Sequence, residues 1–366
     1  MLLLTPGPTA VPENIRMKMS EPTIHHRTPE FSEIFKQTRA KLQKLFKMKE
    51  VLMLSSSGTG AMEASVTNLC QKKALSINAG KFGERFGKIV KAHGFDLVEL
   101  TYEWNTPANI EDVKSVLKQD DTIDTICIQI CESAGGLRHP VEEIAKMAKE
   151  INPDITIIAD GITAVGVEKI DTANIDVLIS GSQKAFMLPP GLSMVGLSDH
   201  AIKIVEKGGR GYYFNLNTEL KKQRENTTAW TAPTTLVIGL NAMLDMIFDT
   251  GIEKFYENTK KRSYAANEAL KSIGFKIYPK VPAIAMSAVY NEKADEIRKI
   301  LKDKFQVNIA GGQDHLKGKL FRINHMGLVQ PYETAWVLNA LELILDEIGI
   351  REYDGSADKI FSLSIR

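Results

Sequence analysis

Residues 177–191 read VLISGSQKAFMLPPG, and the predictions for the whole chain start from this segment. The apolar run at 177–179 predicts a short buried strand, and Lys184 follows just past its carboxyl end. The closing Leu-Pro-Pro-Gly is a stiff turn that keeps the segment from becoming a helix. Because desolvation lowers the pKa of a lysine, Lys184 could form an imine with an aldehyde. The alternative is a lysine whose stem lies on apolar surface and whose ammonium group lies in water.

The composition is that of an ordinary soluble globular protein, with 43% hydrophobic and 25% charged residues. At 366 residues the chain exceeds one ordinary domain, which predicts one large and one smaller domain. The formal net charge of +1 argues against nucleic-acid binding, and no stretch approaches the length of a membrane span. Cys70, Cys127 and Cys131 lack paired spacing, which indicates reduced thiols in a cytoplasm rather than disulfides or a metal site.

The first half of the chain alternates apolar runs with helical patterns. The predicted strands lie at 51–54, 74–77, 123–130, 155–159 and 177–179. Amphipathic periodicity predicts helices at 30–47 and 141–150. This alternation is typical of a mostly parallel sheet with helices on both faces, whose ligand crevice lies at the carboxyl ends of the strands. The strand at 192–197 begins too soon after Lys184 for a parallel crossover, so we expect it to be antiparallel and the sheet to be mixed.

Small and polar residues follow each of these predicted strands. Residues 55–60, SSSGTG, predict a turn and helix start whose amides, with the hydroxyls of Ser57 or Thr59, could bind a phosphate. An ordinary N-capped helix is the alternative. Phe82, which lies next to small residues, could expose its ring to a flat ligand, or it could be a core phenylalanine. Asp160 is the one nearby aspartate that closes an apolar strand at the expected edge.

The remaining segments predict an arm and a second domain. Residues 1–12 are rich in proline and are expected to form an extended arm without regular structure. Beyond helical patterns at 235–273, alternating strands and helices predict a small α+β domain, with the boundary near residue 258. Arg322 lies in an otherwise apolar strand, where a buried arginine needs an anion. That anion could be a substrate carboxylate held by a bidentate contact, or a partner in a structural salt bridge.

These residues together match the requirements of pyridoxal phosphate (PLP). We predict that Lys184 forms an imine with the aldehyde and that Asp160 pairs with the pyridine nitrogen. Phe82 would stack on the ring, and Arg322 would orient the substrate carboxylate. The predicted phosphate-binding residues are Ser57, Gly58 and Thr59.

Four segments carry a resemblance to a known family: TPGP at 5–8, SGTGAMEA at 57–64, SGSQK at 180–184, and FRI with HMG at 321–327. From residue 3 to about 350, the chain resembles the class V aminotransferases, nearest to the alanine–glyoxylate and serine–pyruvate branch. The resemblance implies an α/β architecture, the PLP-dependent transferase fold type I. This fold has a mostly parallel, mixed seven-stranded sheet and a smaller α+β C-terminal domain. We place the arm and large domain at 1–257 and the small domain at 258–366.

The resemblance also implies a homodimer with active sites at the subunit interface. It places Gln183 near the cofactor ring, and Thr228 and Thr231 near the phosphate bound by the partner subunit. Three positions depart from the family pattern. Ala134 cannot offer a hydroxyl to the cofactor, Gly161 follows Asp160 where relatives often have serine or alanine, and Thr228 replaces a tyrosine of some relatives.

The predicted activity is a ping-pong transfer of an amino group between alanine or serine and glyoxylate or pyruvate, with Lys184 as general base and acid. One alternative is a PLP-dependent lyase or cysteine desulfurase of the same fold. Such an enzyme needs a mobile cysteine, usually late in the chain, whereas all three cysteines here precede residue 132. The other alternative is a non-catalytic subunit of a larger assembly.

Overall fold

The computed structural model describes residues 1–366. The strands, in chain order, are β1 Leu2–Leu3, β2 Glu50–Leu54, β3 Lys73–Asn78, β4 Asp96–Thr101, β5 Thr125–Gln129, β6 Cys131–Glu132, β7 Leu137–Arg138, β8 Thr156–Asp160, β9 Val177–Gly181, β10 Ser193–Leu197, β11 Lys276–Ile277, β12 Met286–Tyr290, β13 Val307–Asn308, β14 Ala310–Gly311 and β15 Leu320–Asn324.

The α-helices are α1 Glu13–Met19, α2 Pro29–Phe46, α3 Gly58–Leu69, α4 Lys81–Ala92, α5 Ile110–Gln119, α6 Val141–Ile151, α7 Asp199–Glu206, α8 Leu216–Arg224, α9 Thr234–Thr250, α10 Ile252–Ser272, α11 Ala294–Phe305, α12 Pro331–Glu347 and α13 Ser356–Ser364. A single 3₁₀ turn spans Asp314–Leu316.

The large sheet has seven strands in the order β2-β10-β9-β8-β5-β3-β4. Strand β10 is antiparallel to both of its neighbours, whereas the pairs from β9 to β4 are all parallel. The mixed seven-stranded sheet and the antiparallel strand at 192–197 are therefore confirmed. Separate clusters of 42 and 24 buried apolar residues contain side chains from these strands, which explains why most of the strands are apolar throughout.

A second, antiparallel sheet of four strands follows in the order β11-β12-β15-β14. It contributes to a cluster of 23 buried apolar residues together with side chains of α10, α11, α12 and α13. Strand β15, which carries Arg322, lies inside this sheet and is buried along its whole length. The predicted α+β character of the C-terminal part agrees with this arrangement.

The amino-terminal arm contains a short strand, contrary to prediction. The expectation that residues 1–12 contain no regular structure is wrong for Leu2–Leu3, which pair in parallel with β13. The amide of Leu2 donates to the carbonyl of Gln306 at 2.8 Å, and Leu4 is fully buried in the C-terminal cluster. Three leucines preceding the prolines give the chain an apolar anchor that the proline pattern concealed.

The predicted domain division falls inside helix α10. Phe255, near its start, packs in the large cluster, whereas Ala265 and Leu270, near its end, pack in the C-terminal cluster. The boundary at 257 and 258 stays a prediction. Helices α9 and α10 are separated by Gly251, whose φ of 91° suits glycine. No single helix has both the length and the apolar composition needed to cross a membrane; α9 and α10 pass that test only as a pair, bent by 82°.

Candidate active site

Lys184 lies three residues beyond β9, at the carboxyl edge of the large sheet. The side chain of Ser182 fixes this segment, because its hydroxyl donates to the carbonyl of Pro189 at 2.7 Å and accepts from the amide of Leu192 at 3.3 Å. The chain after β9 is therefore closed into a loop before β10 begins. Sequence reasoning identified the stiff proline turn but missed the serine that closes the loop.

The amino-terminal arm passes over this loop. Thr9 donates its amide to the carbonyl of Gln183 at 3.1 Å and its hydroxyl to the carbonyl of Lys184 at 2.7 Å. Lys184 donates its Nζ to the carbonyl of Pro6 at 2.5 Å. Gly7 has a φ of +112°, and a Cβ there would lie 2.5 Å from Nζ of Lys184. The TPGP motif thus contacts the reactive amine directly, and only glycine fits beside it.

Lys184 has an unusual acidity for a lysine. Burial, together with the positive charge of Arg322, lowers its pKa to about 8, whereas Asp160 acts in the opposite direction. About a tenth of the amine is therefore unprotonated at pH 7, far more than in an ordinary lysine, and the unprotonated form is the one that reacts with an aldehyde.

Asp160 ends strand β8 and is only 5% exposed. Its Oδ1 accepts a hydrogen bond from the amide of Ile162 at 2.9 Å. Burial raises the pKa of this carboxyl group to about 6, against the opposing influence of that hydrogen bond and of Lys184. An added positive charge beside it would be stabilised by the carboxylate, as a protonated pyridine nitrogen requires.

Helix α3 begins at the predicted phosphate-binding turn. Ser57 is its N-cap, and the Ser57 hydroxyl accepts from the amide of Gly60 at 3.4 Å. The capped-helix and phosphate-binding interpretations are compatible, because the amides of Gly58 and Thr59 have no partners within the helix. Arg85 donates to the hydroxyl of Thr59 at 2.8 Å and so adds a positive charge at this helix end.

Phe82 lies in the first turn of α4, and the guanidinium of Arg85 lies 4.6 Å from its ring centroid. The ring is neither fully exposed nor part of the buried core. The core interpretation of Phe82 is therefore wrong, and an aromatic face remains at the site. Sequence reasoning missed Arg85, although an arginine three residues after Phe82 lies on the same face of a helix.

Glu132 is a second residue that sequence reasoning did not select. Its carboxylate accepts from the amides of Phe82, Gly83 and Ala134 at 2.9, 3.0 and 3.0 Å. Burial raises the pKa of this group to about 7, and the three amides oppose that change. Glu132 therefore fixes the start of α4. Ala134, which has no hydroxyl to offer a cofactor, contributes its backbone amide to the carboxylate of Glu132.

Arg322 is buried in the middle of β15. Its Nη1 and Nη2 donate to the carbonyls of Ser133 and Gly311, each at 2.6 Å, and its Nε has no partner. It forms no ion pair, so the structural salt bridge considered from sequence is absent. Burial lowers the pKa of this guanidinium to about 10, and the nearby carboxylate of Glu132 only partly opposes that change.

Most of the predicted site residues line one cavity of about 150 Å³. The predicted members are Ser57, Gly58, Thr59, Phe82, Asp160, Gln183 and Lys184, and the others are Arg85, Cys131, Ser133, Ile162 and Thr163. Arg322 lies next to this group through its bond to Ser133. Cys131 is a buried thiol whose pKa is raised to about 12 by desolvation, so it is not a thiolate.

Thr228 and Thr231 do not line this cavity within one chain. Thr228 is 7% exposed and donates its hydroxyl to the carbonyl of Trp230. Thr231 is exposed, and its carbonyl accepts from the hydroxyl of Ser55, close to the phosphate-binding turn, at 3.4 Å. Their predicted position near a partner subunit's phosphate stays a prediction.

The residues present fit pyridoxal phosphate by their chemistry. An amine of lowered pKa, unpaired amides at a helix start, a buried carboxylate and an aromatic face surround one cavity. Each of these groups has a complementary part on that cofactor: the aldehyde, the phosphate, the ring nitrogen and the ring face.

Comparison with known proteins gives consistent results. The family model for class V aminotransferases matches residues 10–326. An uncharacterized aminotransferase of Helicobacter pylori is 52% identical over 362 residues, covering 99% of this chain and 98% of that protein. A serine–glyoxylate aminotransferase of Hyphomicrobium methylovorum is 28% identical, with 97% and 92% covered.

Among solved structures, an aspartate aminotransferase of subgroup IV from Thermus thermophilus superposes with a TM-score of 0.89. It is 32% identical to this chain, and the alignment covers 95% of this chain and 100% of that one. The fold type and the whole length of the chain are thus shared with enzymes that transfer amino groups.

Proposed function

This chain belongs to the class V aminotransferases, and from that premise we propose its substrates and the roles of its residues. It is a PLP-dependent enzyme that moves an amino group between an amino acid and a 2-oxo acid. We propose that the donor is alanine or serine, that the acceptor is glyoxylate or pyruvate, and that the two half-reactions alternate in a ping-pong order. The observation that carries the proposal is that Lys184, Asp160 and the phosphate-binding turn line one cavity.

When bound, pyridoxal phosphate supplies an aldehyde for the amino group and a ring that withdraws electrons from the α-carbon. Lys184 is the group that would attach the aldehyde. Once freed, its amine would accept the proton of the α-carbon and deliver it to the former aldehyde carbon of the cofactor. A pKa of about 8 suits both tasks, because an amine near neutrality can accept and donate a proton.

The other residues of the cavity would hold and orient the cofactor. Ser57, Gly58 and Thr59 bind the phosphate group, with Arg85 adding a positive charge through Thr59. Asp160 would keep the ring nitrogen protonated, and Phe82 would pack against the ring face. Gln183 lines the same cavity and would lie beside the ring.

Arg322 is proposed to hold the α-carboxylate of the substrate. Two of its nitrogens already donate to carbonyls, and Nε lacks a partner, so the guanidinium still carries an uncompensated charge. The charge of Arg322 lowers the pKa of Lys184, and a carboxylate bound to the guanidinium would offset that charge.

The choice of donor draws on the names of relatives. The similarity to a serine–glyoxylate aminotransferase supports serine and glyoxylate. The solved structure named aspartate aminotransferase is more similar in sequence, so aspartate is the second candidate donor. The single predicted carboxylate clamp favours a small neutral side chain, because aspartate needs a second cation for its second carboxylate.

Half-reactions of the purified PLP form test this proposal directly. Alanine, serine and aspartate are added separately in the absence of any acceptor, and loss of the visible absorption of the cofactor is followed. We expect alanine or serine to react fastest, and glyoxylate or pyruvate to restore the absorption. A fast reaction with aspartate alone would replace the donor, and no reaction with any amino acid would contradict the assigned activity.

Two other functions lead to different measurements. A desulfurase would release sulfide from cysteine, and the neutral thiol of Cys131, held on strand β6, argues against it. A non-catalytic subunit would not need to take up PLP. We further propose a homodimer, in which Thr228 and Thr231 approach the partner's cofactor phosphate, and a cytoplasmic location. Sedimentation of the purified protein tests the dimer.

A further inference from the structure

A second cavity, of about 250 Å³, lies away from the site described above. Its walls come from helix α10, the segment between β15 and α12, and the chain near residues 250 and 365. Arg262 and Lys261 of α10 line it, so the cavity has two basic side chains.

Arg262 is the unusual feature of this cavity. It is only 5% exposed, and it forms no ion pair. Its Nη2 donates to the carbonyl of His325 at 2.5 Å, whereas Nε is buried without a partner and Nη1 makes no hydrogen bond. Burial lowers the pKa of this guanidinium to about 10, as expected for a cation removed from water without a counter-ion.

The neighbouring charges do not supply that counter-ion. Glu333 is the one acid that acts on Arg262, and its carboxylate is held by the amide of Gln330 at 2.7 Å in the cap of α12. His325, next to Arg262, is fully buried, and burial lowers its pKa to about 3, so it is neutral. A buried arginine in this condition is stabilised by an anion that accepts from its free nitrogens.

We propose that this cavity binds a small anion through a carboxylate or phosphate group that pairs with the guanidinium of Arg262, while Lys261 attracts it from the cavity mouth. This site is independent of the proposed aminotransferase activity, because Arg262 does not line the cavity around Lys184. The wall of this cavity nevertheless contacts the loop that carries Lys184, since the amide of Leu328 donates to the sulfur of Met187 at 3.1 Å.

Calorimetric titration of the PLP-loaded protein with succinate and with inorganic phosphate tests the proposal. The bound cofactor fills the phosphate-binding turn, and Arg322→Met removes the other buried guanidinium that forms no ion pair. In that background we expect saturable binding of at least one probe. Arg262→Met should weaken it by about tenfold to a hundredfold, the effect of losing charge-assisted hydrogen bonds. The matched control is Lys254→Met, an exposed lysine earlier on α10, which should leave affinity unchanged.

Two further variants keep the test decisive if Arg262→Met does not fold. Arg262→Lys retains the charge and should bind more weakly than the parent. Lys261→Met changes an exposed side chain and should weaken binding about twofold to fivefold. Affinity unchanged in both variants would overturn the site, as would the failure of both probes to bind the PLP-loaded Arg322→Met protein.

Discussion

The two sheets contribute differently to the region around Lys184. The carboxyl edge of the seven-stranded sheet supplies the amine, the carboxylate at Asp160 and the amides of α3, which all match the cofactor. The four-stranded sheet supplies one guanidinium, Arg322, from the middle of β15. We propose that the two sheets divide the work: the large sheet would bind and activate the cofactor, and the small sheet would recognise the substrate. Each prediction below separates these two tasks.

The largest effect is expected for Lys184→Ala, on the large sheet. Transamination should fall by at least about 10⁴-fold, because both the cofactor attachment and the proton transfer are lost. The visible absorption of the purified protein should disappear as well. The control is Lys203→Ala, an exposed lysine on α7, which should keep both properties. Full activity in Lys184→Ala would contradict the role given to this residue.

Arg322→Met tests the small sheet, and it should impair substrate binding while cofactor binding is retained. The KM for the amino acid should rise by about tenfold to a hundredfold, because a charge-assisted bidentate contact is lost, while the visible absorption of the cofactor persists. Steady-state kinetics and absorption spectra measure the two effects. With ethylamine, which has no carboxylate, the variant and the parent protein should differ far less, because only the effect of the Arg322 charge on the pKa of Lys184 remains. Loss of PLP in this variant would end the proposed division of labour.

The pH dependence of cofactor uptake tests the acidity of Lys184 alone. Since the unprotonated amine is the reactive form and its pKa is about 8, uptake by the cofactor-free protein should slow about tenfold for each pH unit below 8. Above about pH 8 the rate should level off. Stopped-flow measurement of visible absorption at several pH values checks this. A rate that still climbs steeply at pH 10 would indicate an ordinary lysine.

The smallest effect is expected for Gly7→Ala in the arm. An added Cβ would lie 2.5 Å from Nζ of Lys184, so the arm or the lysine must shift, and kcat/KM should fall about tenfold. Gly211→Ala is a matched control, because Gly211 also has a positive φ, +77°, but nothing lies within 4 Å of its Cβ position. Both variants bear the backbone strain, and only the first should lose activity in the kinetic assay.

Much of the site could be predicted from the chain because its signals are local. An apolar run followed by small or polar residues predicts a strand end, and the carboxyl ends of neighbouring parallel strands meet at one edge. Lys184, Asp160 and the turn at 55–60 were found in this way. Arg322 could be selected as a candidate because an arginine in an otherwise apolar strand is expected to need an anion.

The residues that escaped prediction act through contacts between distant segments. Glu132 is an ordinary glutamate in sequence, but folding brings its carboxylate to the amides of α4, 49 residues away at Gly83. Arg262 lies on a helix rich in lysine and glutamate, where a basic residue predicts a solvated surface. Its burial depends on the packing of α10 beside the segment that follows β15.

The sequence by itself determined the alternation of strands and helices, the chemistry at the strand ends and the family, because periodicity, turn residues and motifs depend on residues close together in the chain. Only the tertiary structure decided that the arm covers Lys184, that Glu132 fixes α4 and that Arg262 lacks a counter-ion. Desolvation and hydrogen-bond partners depend on which distant segments pack together, and no local pattern encodes that packing.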